Sequence, residues 1–436
     1  MKILYVTSRH PWPPRRGDQM RALQVLDFLA AEHEVTLLAP APGPNQPPAP
    51  AGLSYRVETY RPEGGLAFLS GMARALFKGL PLQTGLFYQP DLARRLRELT
   101  PRHDLAILQL VRLAIHIDDF GETPLLVDLI DSLALNVSRR AKVDRWWLVP
   151  ALKLEARLLA AAERRLAERA MALLVVCERD RQAMIDLLSP DLAAKVAVVR
   201  LSVRERKVDP AEEGEKLWRE GDKGPVLAMT GNLGYFVNAD AATWWLRDVW
   251  PEIRRARPDV RLVIAGDRPS RALRQAIDQA GARLIESPRD LRSIIAQATV
   301  SIAPMRCGSG VPVKVLEAWV VGTPVLASTW AGAGTTGQQD EDFRLLGQDP
   351  GDWVAAVTDL LDYPETRRRL VEGGRRRLAT DYSRDEVRRQ LQEVISGLAP
   401  LCARSARPLN PLPEAAAGAH AQPASERAPG RSRSAR

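Results

Sequence analysis

Short, nearly continuous apolar runs alternate along this chain with longer stretches whose apolar residues recur at three- and four-residue steps. Ile3–Thr7, Glu34–Ala39, Leu105–Leu110, Pro124–Asp128, Ala172–Cys177 and Val196–Val199 predict strands, and Asp18–Ala31 and Pro150–Ala170 predict helices between them. Strands that are apolar on both faces and separated by helices predict a parallel sheet covered on both sides. The pattern restarts with strands at Pro225–Thr230, Arg261–Ala265, Arg283–Glu286, Val300–Ala303 and Pro324–Ala327, separated by helices at Ala239–Arg257, Arg271–Ala280, Leu291–Gln297 and Pro312–Val321. In the first of these helices Ala242, Trp245, Leu246, Val249, Trp250 and Ile253 fall on one face, which assigns its tryptophans to a core rather than to a ligand. The fold class is therefore α/β, with two doubly wound units in tandem and binding sites at the carboxyl ends of the strands. Helices follow from Asp352 to Leu398, with no further strand expected.

Between the units, Arg204–Lys223 is dominated by charge, with Trp218 nearly its only large apolar group. The expected organisation is a first unit at 1–203, a linker at 204–224, a second unit at 225–380, and a C-terminal helix at 381–399 that either packs outside the second sheet or returns to the first unit. The last 37 residues, from Pro400, hold six Pro and ten Ala and predict a disordered basic tail.

The 436 residues are 45% apolar and 26% charged, the composition of a globular protein of about two domains. No run reaches the ~18 apolar residues of a membrane span, so a cytoplasmic protein is expected. Cys177, Cys307 and Cys402 are too few and too scattered for a disulfide framework or zinc site, and no metal is expected. The net charge is +9, of which the last 37 residues supply +4. The remainder is too mild to argue nucleic-acid binding.

Chemistry concentrates at Arg306–Ser328, "RCGSGVPVKVLEAWVVGTPVLAS". Gly308, Ser309, Gly310 and Val311 form a turn before a helix that Pro312 opens and Gly322 stops, so bare amides and a helix N-terminus can cradle a diphosphate. From Val311 to Val321 only Lys314 and Glu317 are polar, three residues apart on one face. The pair either satisfies itself at a surface or meets a ligand, Glu317 accepting from ribose hydroxyls while Lys314 or Arg306 offsets phosphate charge. In the first unit Arg15, Arg16 and Arg21 flank Gly17 and are candidates to guide a phosphorylated or lipid-diphosphate acceptor. Asp128 and Asp131, at a strand end, are candidates to orient an acceptor hydroxyl or assist proton transfer; Asp131 has helix capping as its alternative, and His10 is a further catalytic candidate. Asp340–Asp342 reads as a solvated loop. Gly65–Pro81 and the triplets Arg367–Arg369 and Arg375–Arg377 read either as solvated faces or as membrane-surface contacts.

The run "GSGVPVKVLEAWVVGTPVLAS" resembles the nucleotide-sugar signature of retaining glycosyltransferase family four, GT-B enzymes with the loose pattern G-x-P-x-x-x-x-E-A-x-x-x-G-x-P-V. "GPVLAMTGNLGYFVNADA", "VRLVIAGDRP" and, more loosely, residues 1–39 extend the resemblance, and "PPRRGDQMRA" is similar to transferases of bacterial exopolysaccharide systems. The resemblance implies a GT-B pair of Rossmann-like domains facing a cleft, a nucleoside-diphosphate-sugar co-substrate without a separate cofactor, and transfer with retention. It implies that Glu317 holds the donor ribose, that Gly308 and Gly310 underlie the diphosphate, and that Gly17 approaches the donor from the opposite domain. A glycan or lipid-linked acceptor is a further implication; with a lipid acceptor, the Arg triplets and Gly65–Pro81 would suit a peripheral place on the inner membrane face. Two departures stand out: Ser309 occupies the position of a frequent second glutamate, and "GNLGYFVNADA" lacks the family's basic pair, for which Arg306 and Lys314 are possible substitutes. Rival readings are a non-hydrolysing nucleotide-sugar epimerase and a catalytically impaired nucleotide-sugar-binding scaffold.

Overall fold

The computed structural model describes residues 1–14, 16–44, 46–203 and 224–405. Strands β1 (Lys2–Val6), β2 (Glu34–Pro40), β3 (Arg56–Tyr60), β4 (Leu105–Gln109), β5 (Leu125–Ile130), β6 (Ala172–Val175) and β7 (Val196–Val198) form a wholly parallel sheet in the order β3-β2-β1-β4-β5-β6-β7. A second parallel sheet, ordered β10-β9-β8-β11-β12-β13, holds β8 (Val226–Thr230), β9 (Arg261–Gly266), β10 (Arg283–Glu286), β11 (Val300–Ala303), β12 (Val325–Ser328) and β13 (Arg344–Leu346). The order reverses beside β1 in one sheet and beside β8 in the other, and each reversal opens a crevice at the carboxyl ends of the strands. Central strands such as β4 are buried along their whole length, which is why they read as unbroken apolar runs.

Two strands lie where the hydrophobic pattern is silent. β3 and β13 are sheet edges, partly exposed and carrying Arg56, Glu58 and Arg344, so a strand does follow the last predicted one. The expected helix Ala239–Arg257 is α7 (Phe236–Trp244), a π turn over Trp245–Val249 and a helix at Trp250–Ala256. The wider turn buries Trp244 and Trp245 together, both edge-on to Trp353.

The first unit carries α1 (Gly17–Leu29), α2 (Leu66–Phe77), α3 (Leu82–Gly85), α4 (Leu133–Arg140), α5 (Val149–Arg169) and α6 (Glu178–Ile185), and the second carries α8 (Leu291–Ala296) and α9 (Val313–Val321). After α10 (Pro364–Asp381), α11 (Arg384–Ser405) lays Val387, Leu391, Ile395, Leu398 and Cys402 into the core beside Ile3, Tyr5 and Leu26 of the first unit. This helix runs through Pro400, where the basic tail had been expected to start; the rest of the expected tail, 406–436, and the expected linker 204–223 lie outside the described residues. Ser202 and Val203, where the chain leaves the first unit, and Ser383 and Arg384, where it comes back, line one cavity of about 380 Å3.

Candidate functional site

The two carboxyl edges meet at the loop between β11 and α9. Gly310 has φ +68°, a left-handed conformation, and a Cβ there would stand 3.3 Å from that of Asp131, so only glycine fits without displacement. Pro312 is the residue that precedes the helix rather than its first turn, and Gly322, left-handed at φ +76°, ends it. Every residue from Gly308 to Gly310 is held from the first unit. The Gly310 amide donates to Asp180 Oδ2 at 2.6 Å, and Ser309 Oγ donates to Asp131. Asn136 Nδ2 donates to Ser309 Oγ at 2.8 Å and also to the Tyr235 hydroxyl at 2.7 Å, Arg139 donates to the Gly308 carbonyl, and Arg179 to those of Gly310 and Trp330. In this closed arrangement a carboxylate already occupies the anion position at the Gly310 amide.

Burial, and secondly the charge of Asp180, push Asp131 up to about 6, while the Ser309 hydrogen bond and Arg112 act against them. Asp131 does not cap α4: Ser132 does, accepting from the Leu135 amide. Ser132 is anchored in turn by Glu163 of α5, 2% exposed, which accepts from Ser132 Oγ at 2.8 Å and the Ala134 amide at 3.0 Å. Burial pushes Glu163 up to about 7. The folded protein keeps this proton where the unfolded chain releases it near the ordinary value of 4.5, so folding binds a proton in that window and stability falls as pH rises through it. We expect urea stability to drop between pH 5 and 8 by up to about 3 kcal/mol from this group. Glu163→Gln should remove that part of the slope; an unchanged slope would discard the assignment.

Lys314 and Glu317 do not pair with each other, so the self-satisfied surface pair is not what forms. Each reaches a different neighbouring helix. Lys314 Nζ donates to Asn238 Oδ1 at 2.8 Å and lies 3.1 Å from where a Gly231 Cβ would be. Gly231, at φ +140°, thus admits an ammonium to the loop after β8, the segment whose own sequence carries no basic residue. Burial lowers Lys314 to about 8, with Glu317 opposing. Glu317 Oε1 is 3.8 Å from Arg292 of α8, and its side chain keeps 15% exposure. Burial pushes it up to about 7, Asp290 adding to the rise and Arg292 and Lys314 opposing it. The pair sets one ammonium and one titratable carboxyl three residues apart on α9, the ammonium on a neutral amide oxygen and the carboxyl in a long ion pair with Arg292.

Several expected site residues are placed otherwise. Asp128 and Arg21 form an ion pair at 3.0 Å with both side chains fully buried, and Arg21 also donates to the Arg200 carbonyl, so neither side chain is open to solvent. Their strand and helix face each other across the sheet, and that juxtaposition is invisible in sequence. Both ring nitrogens of buried His10 lie on carbonyls, Nδ1 on Pro40 and Nε2 on Pro47, leaving none for catalysis. Arg306 is neutralised by a two-point pair with Asp240, which removes it as a phosphate cation and leaves Lys314. Arg16 precedes α1, its charge disfavoured by burial and by Arg9 and, across the cleft, Arg268. Gly17 begins α1 with open space beside it, Val311 is half-buried in the loop, and Arg15 lies outside the described residues. Asp342 is buried rather than solvated, binding Arg377 and the Gln338 amide. Arg367 likewise donates to the carbonyls ending the preceding helix. Among the described residues no group of three His, Cys, Asp or Glu is placed to hold a metal ion.

Asn136, Arg139, Arg179, Asp180 and Arg112 went unread in the sequence. The available signal was positional: "SLALNVSRR" and "CERDR" follow strand ends, as Arg112 follows the end of β4, and polar residues there face the crevice.

Residues 224–363 match the family model of the group 1 glycosyl transferases. An uncharacterized 44.6 kDa protein in the cps region of Klebsiella pneumoniae is 33% identical over 131 residues, which cover 28% of this chain and 34% of that protein; the match thus spans about a third of the relative's length. Among solved structures, sucrose-phosphate synthase from Thermosynechococcus elongatus aligns with a TM-score of 0.70 at 16% identity, over 92% of this chain and 100% of the other. WaaG, a glycosyltransferase involved in lipopolysaccharide biosynthesis, aligns at 0.61 and 13% identity over 91% and 100%. Anabaena HepE in complex with UDP-glucose gives 0.58 and 13% over 91% and 100%. These likenesses show a GT-B fold of two Rossmann-like units.

Proposed function

From this GT-B fold, with its group 1 glycosyltransferase domain at residues 224–363, we propose that the protein moves a sugar from a nucleoside-diphosphate sugar to a glycan or lipid-linked acceptor on the cytoplasmic side of the membrane, with retention of configuration, in cell-surface polysaccharide synthesis. The observation that carries this reading is the Lys314 ammonium seated over Gly231, one helical turn from Glu317 and beside a loop of exposable amides. A fixed cation at that place offsets charge as it develops on the leaving diphosphate. Glu317 accepts from the ribose hydroxyls, and the amides of Gly310 and Val311 turn to the phosphates once the cleft opens. The bond from the anomeric carbon to phosphate oxygen breaks, the bond to the acceptor oxygen forms on the same face, and the acceptor proton passes to the leaving phosphate. Asp131, near the reacting face of the loop, orients the acceptor hydroxyl. The Klebsiella relative's place in a cps region supports the polysaccharide context.

The test is a panel of nucleoside-diphosphate sugars scored first by thermal shift, then by transfer to lipid-diphosphate acceptors read by mass spectrometry. A raised Tm and a glycosylated product are expected; failure of every donor to raise the Tm removes the reading. The closed loop adds a second expectation. Asp180 and the donor compete for the Gly310 amide, so Asp180→Ala should tighten donor binding about tenfold by removing the competitor. Weaker donor binding by calorimetry would assign Asp180 to the donor site instead.

A further inference from the structure

We infer that the flank built from α2, α3 and the first half of α5 docks on a lipid bilayer carrying anionic headgroups. Helix α2 is inside out for a water-facing helix. It turns its small residues Gly71 and Ala75 inward, Gly71 close against the backbone of Gly85 in α3, and directs Phe68, Leu69, Leu76 and Phe77 outward, Phe77 at 97% exposure. In α5 nothing before Leu159 is buried, so its first turns stand off the body. The Trp146–Trp147 pair precedes them, Trp146 at 80% exposure. Gln83 of α3 donates to Glu155 of α5 at 2.9 Å and joins the two prongs into one flank. Ten of the fourteen exposed large apolar side chains among the described residues fall between Phe68 and Leu154, a concentration that a protein bathed only in water does not hold.

Charge selects the partner. From Gly64 to Pro90 there is no acidic residue, while Arg74 and Lys78 are present; from Arg145 to Leu154 there is again none, with Arg145 and Lys153. Arg145 lies 5.3 Å over the Trp147 ring. Lys78 is paired with Asp118 and Glu155 stands between the prongs, but Arg74, Arg145 and Lys153 keep the flank cationic, and apolar residues with indole rings at their margin and a surplus of cations fit the boundary between acyl chains and anionic headgroups. No helix among the described residues is long and apolar enough to cross a membrane, so these helices lie in the plane of the interface. The Trp146 turn follows α4, which carries Asn136 and Arg139 to the closed cleft, so the docked flank begins at the cleft's rim. The inference rests on the lipid-linked form of the proposed acceptor, since it brings a membrane-held substrate to that rim.

The full chain is mixed with vesicles of phosphatidylcholine alone or with a quarter phosphatidylglycerol, and sedimented. Binding to the anionic vesicles, weakened by salt and accompanied by a blue shift of tryptophan emission, is expected. Trp146→Ser with Trp147→Ser, and separately Leu76→Ser with Phe77→Ser, should each lower the bound fraction about tenfold with unchanged Tm, because these side chains are exposed. Equal binding of both variants and the parent overturns the inference. So does a parent that ignores vesicles and elutes as a dimer which the variants convert to monomer, since the flank then meets a second copy. Thermal shift by soluble nucleotide sugars is the independent control: its loss in the parent sinks the transferase reading while leaving vesicle binding to be judged by itself.

Discussion

Lys314→Met is expected to lower kcat/KM for sugar transfer by about 10²–10³-fold, nearly all of it in kcat, with the protein still folded. In the proposed transfer the ammonium is the fixed charge beside the leaving diphosphate, and removing one such preorganised group costs about that much. Methionine keeps the stem's volume, and loss of a charge held down to about 8 by burial relieves a desolvation cost, so Tm should hold or rise. Donor binding should weaken less than turnover does, because the interaction strengthens as the bond breaks. Raising the pH through about 8 should reproduce the variant's defect in the parent protein by deprotonating the same group. Initial rates at saturating and limiting donor, measured from pH 6 to 9.5, decide it; an unchanged kcat in the variant would remove Lys314 from the transfer step.

Glu317→Ala should show the complementary pattern, with donor Kd raised about 100-fold and kcat changed little. Ribose hydroxyls do not change charge during transfer, so whatever Glu317 contributes is the same in ground and transition states and falls on KM. Two charge-assisted hydrogen bonds at about 1.5 kcal/mol each give that magnitude. Inorganic diphosphate, which has no ribose, should bind variant and parent alike, and calorimetry with the two ligands separates the contributions. The carboxyl, raised to about 7 by burial, must be ionised to accept from both hydroxyls, so donor affinity should fall as the pH drops below that value. Together Glu317 and Lys314 predict a narrow bell in kcat/KM, bounded near 7 and near 8.

The sequence disclosed whatever local periodicity encodes. Buried parallel strands such as Ile3–Val6 and Leu105–Gln109 had to be unbroken runs because helices cover both faces. The Gly310 turn and the helix after it were legible as local structure, because glycine and proline punctuate the turn and a nearly apolar nine-residue helix follows it. Edge strands β3 and β13 were not, since half of each faces water and hydropathy there resembles a loop. Pairing across the fold was equally hidden. Arg21 and Asp128 are 107 positions apart, and only the packing of α1 on the first sheet turns two candidate site residues into a buried strut. The same holds for Asp240 of α7, which neutralises Arg306 in the loop after β11, and for Asp180, whose carboxylate meets an amide 130 positions away. A charged residue's role depends on its partner, and the partner is a property of the fold.

The chain passes between the two units twice, once after Val203 and once at Ser383, side by side around the same cavity. On the far side of the fold from those crossings, three side chains of the first unit, Asp180, Asp131 and Arg139, close on three consecutive residues, Gly310, Ser309 and Gly308. A ligand that takes the amides of this turn therefore meets a latch of three neighbouring contacts rather than one.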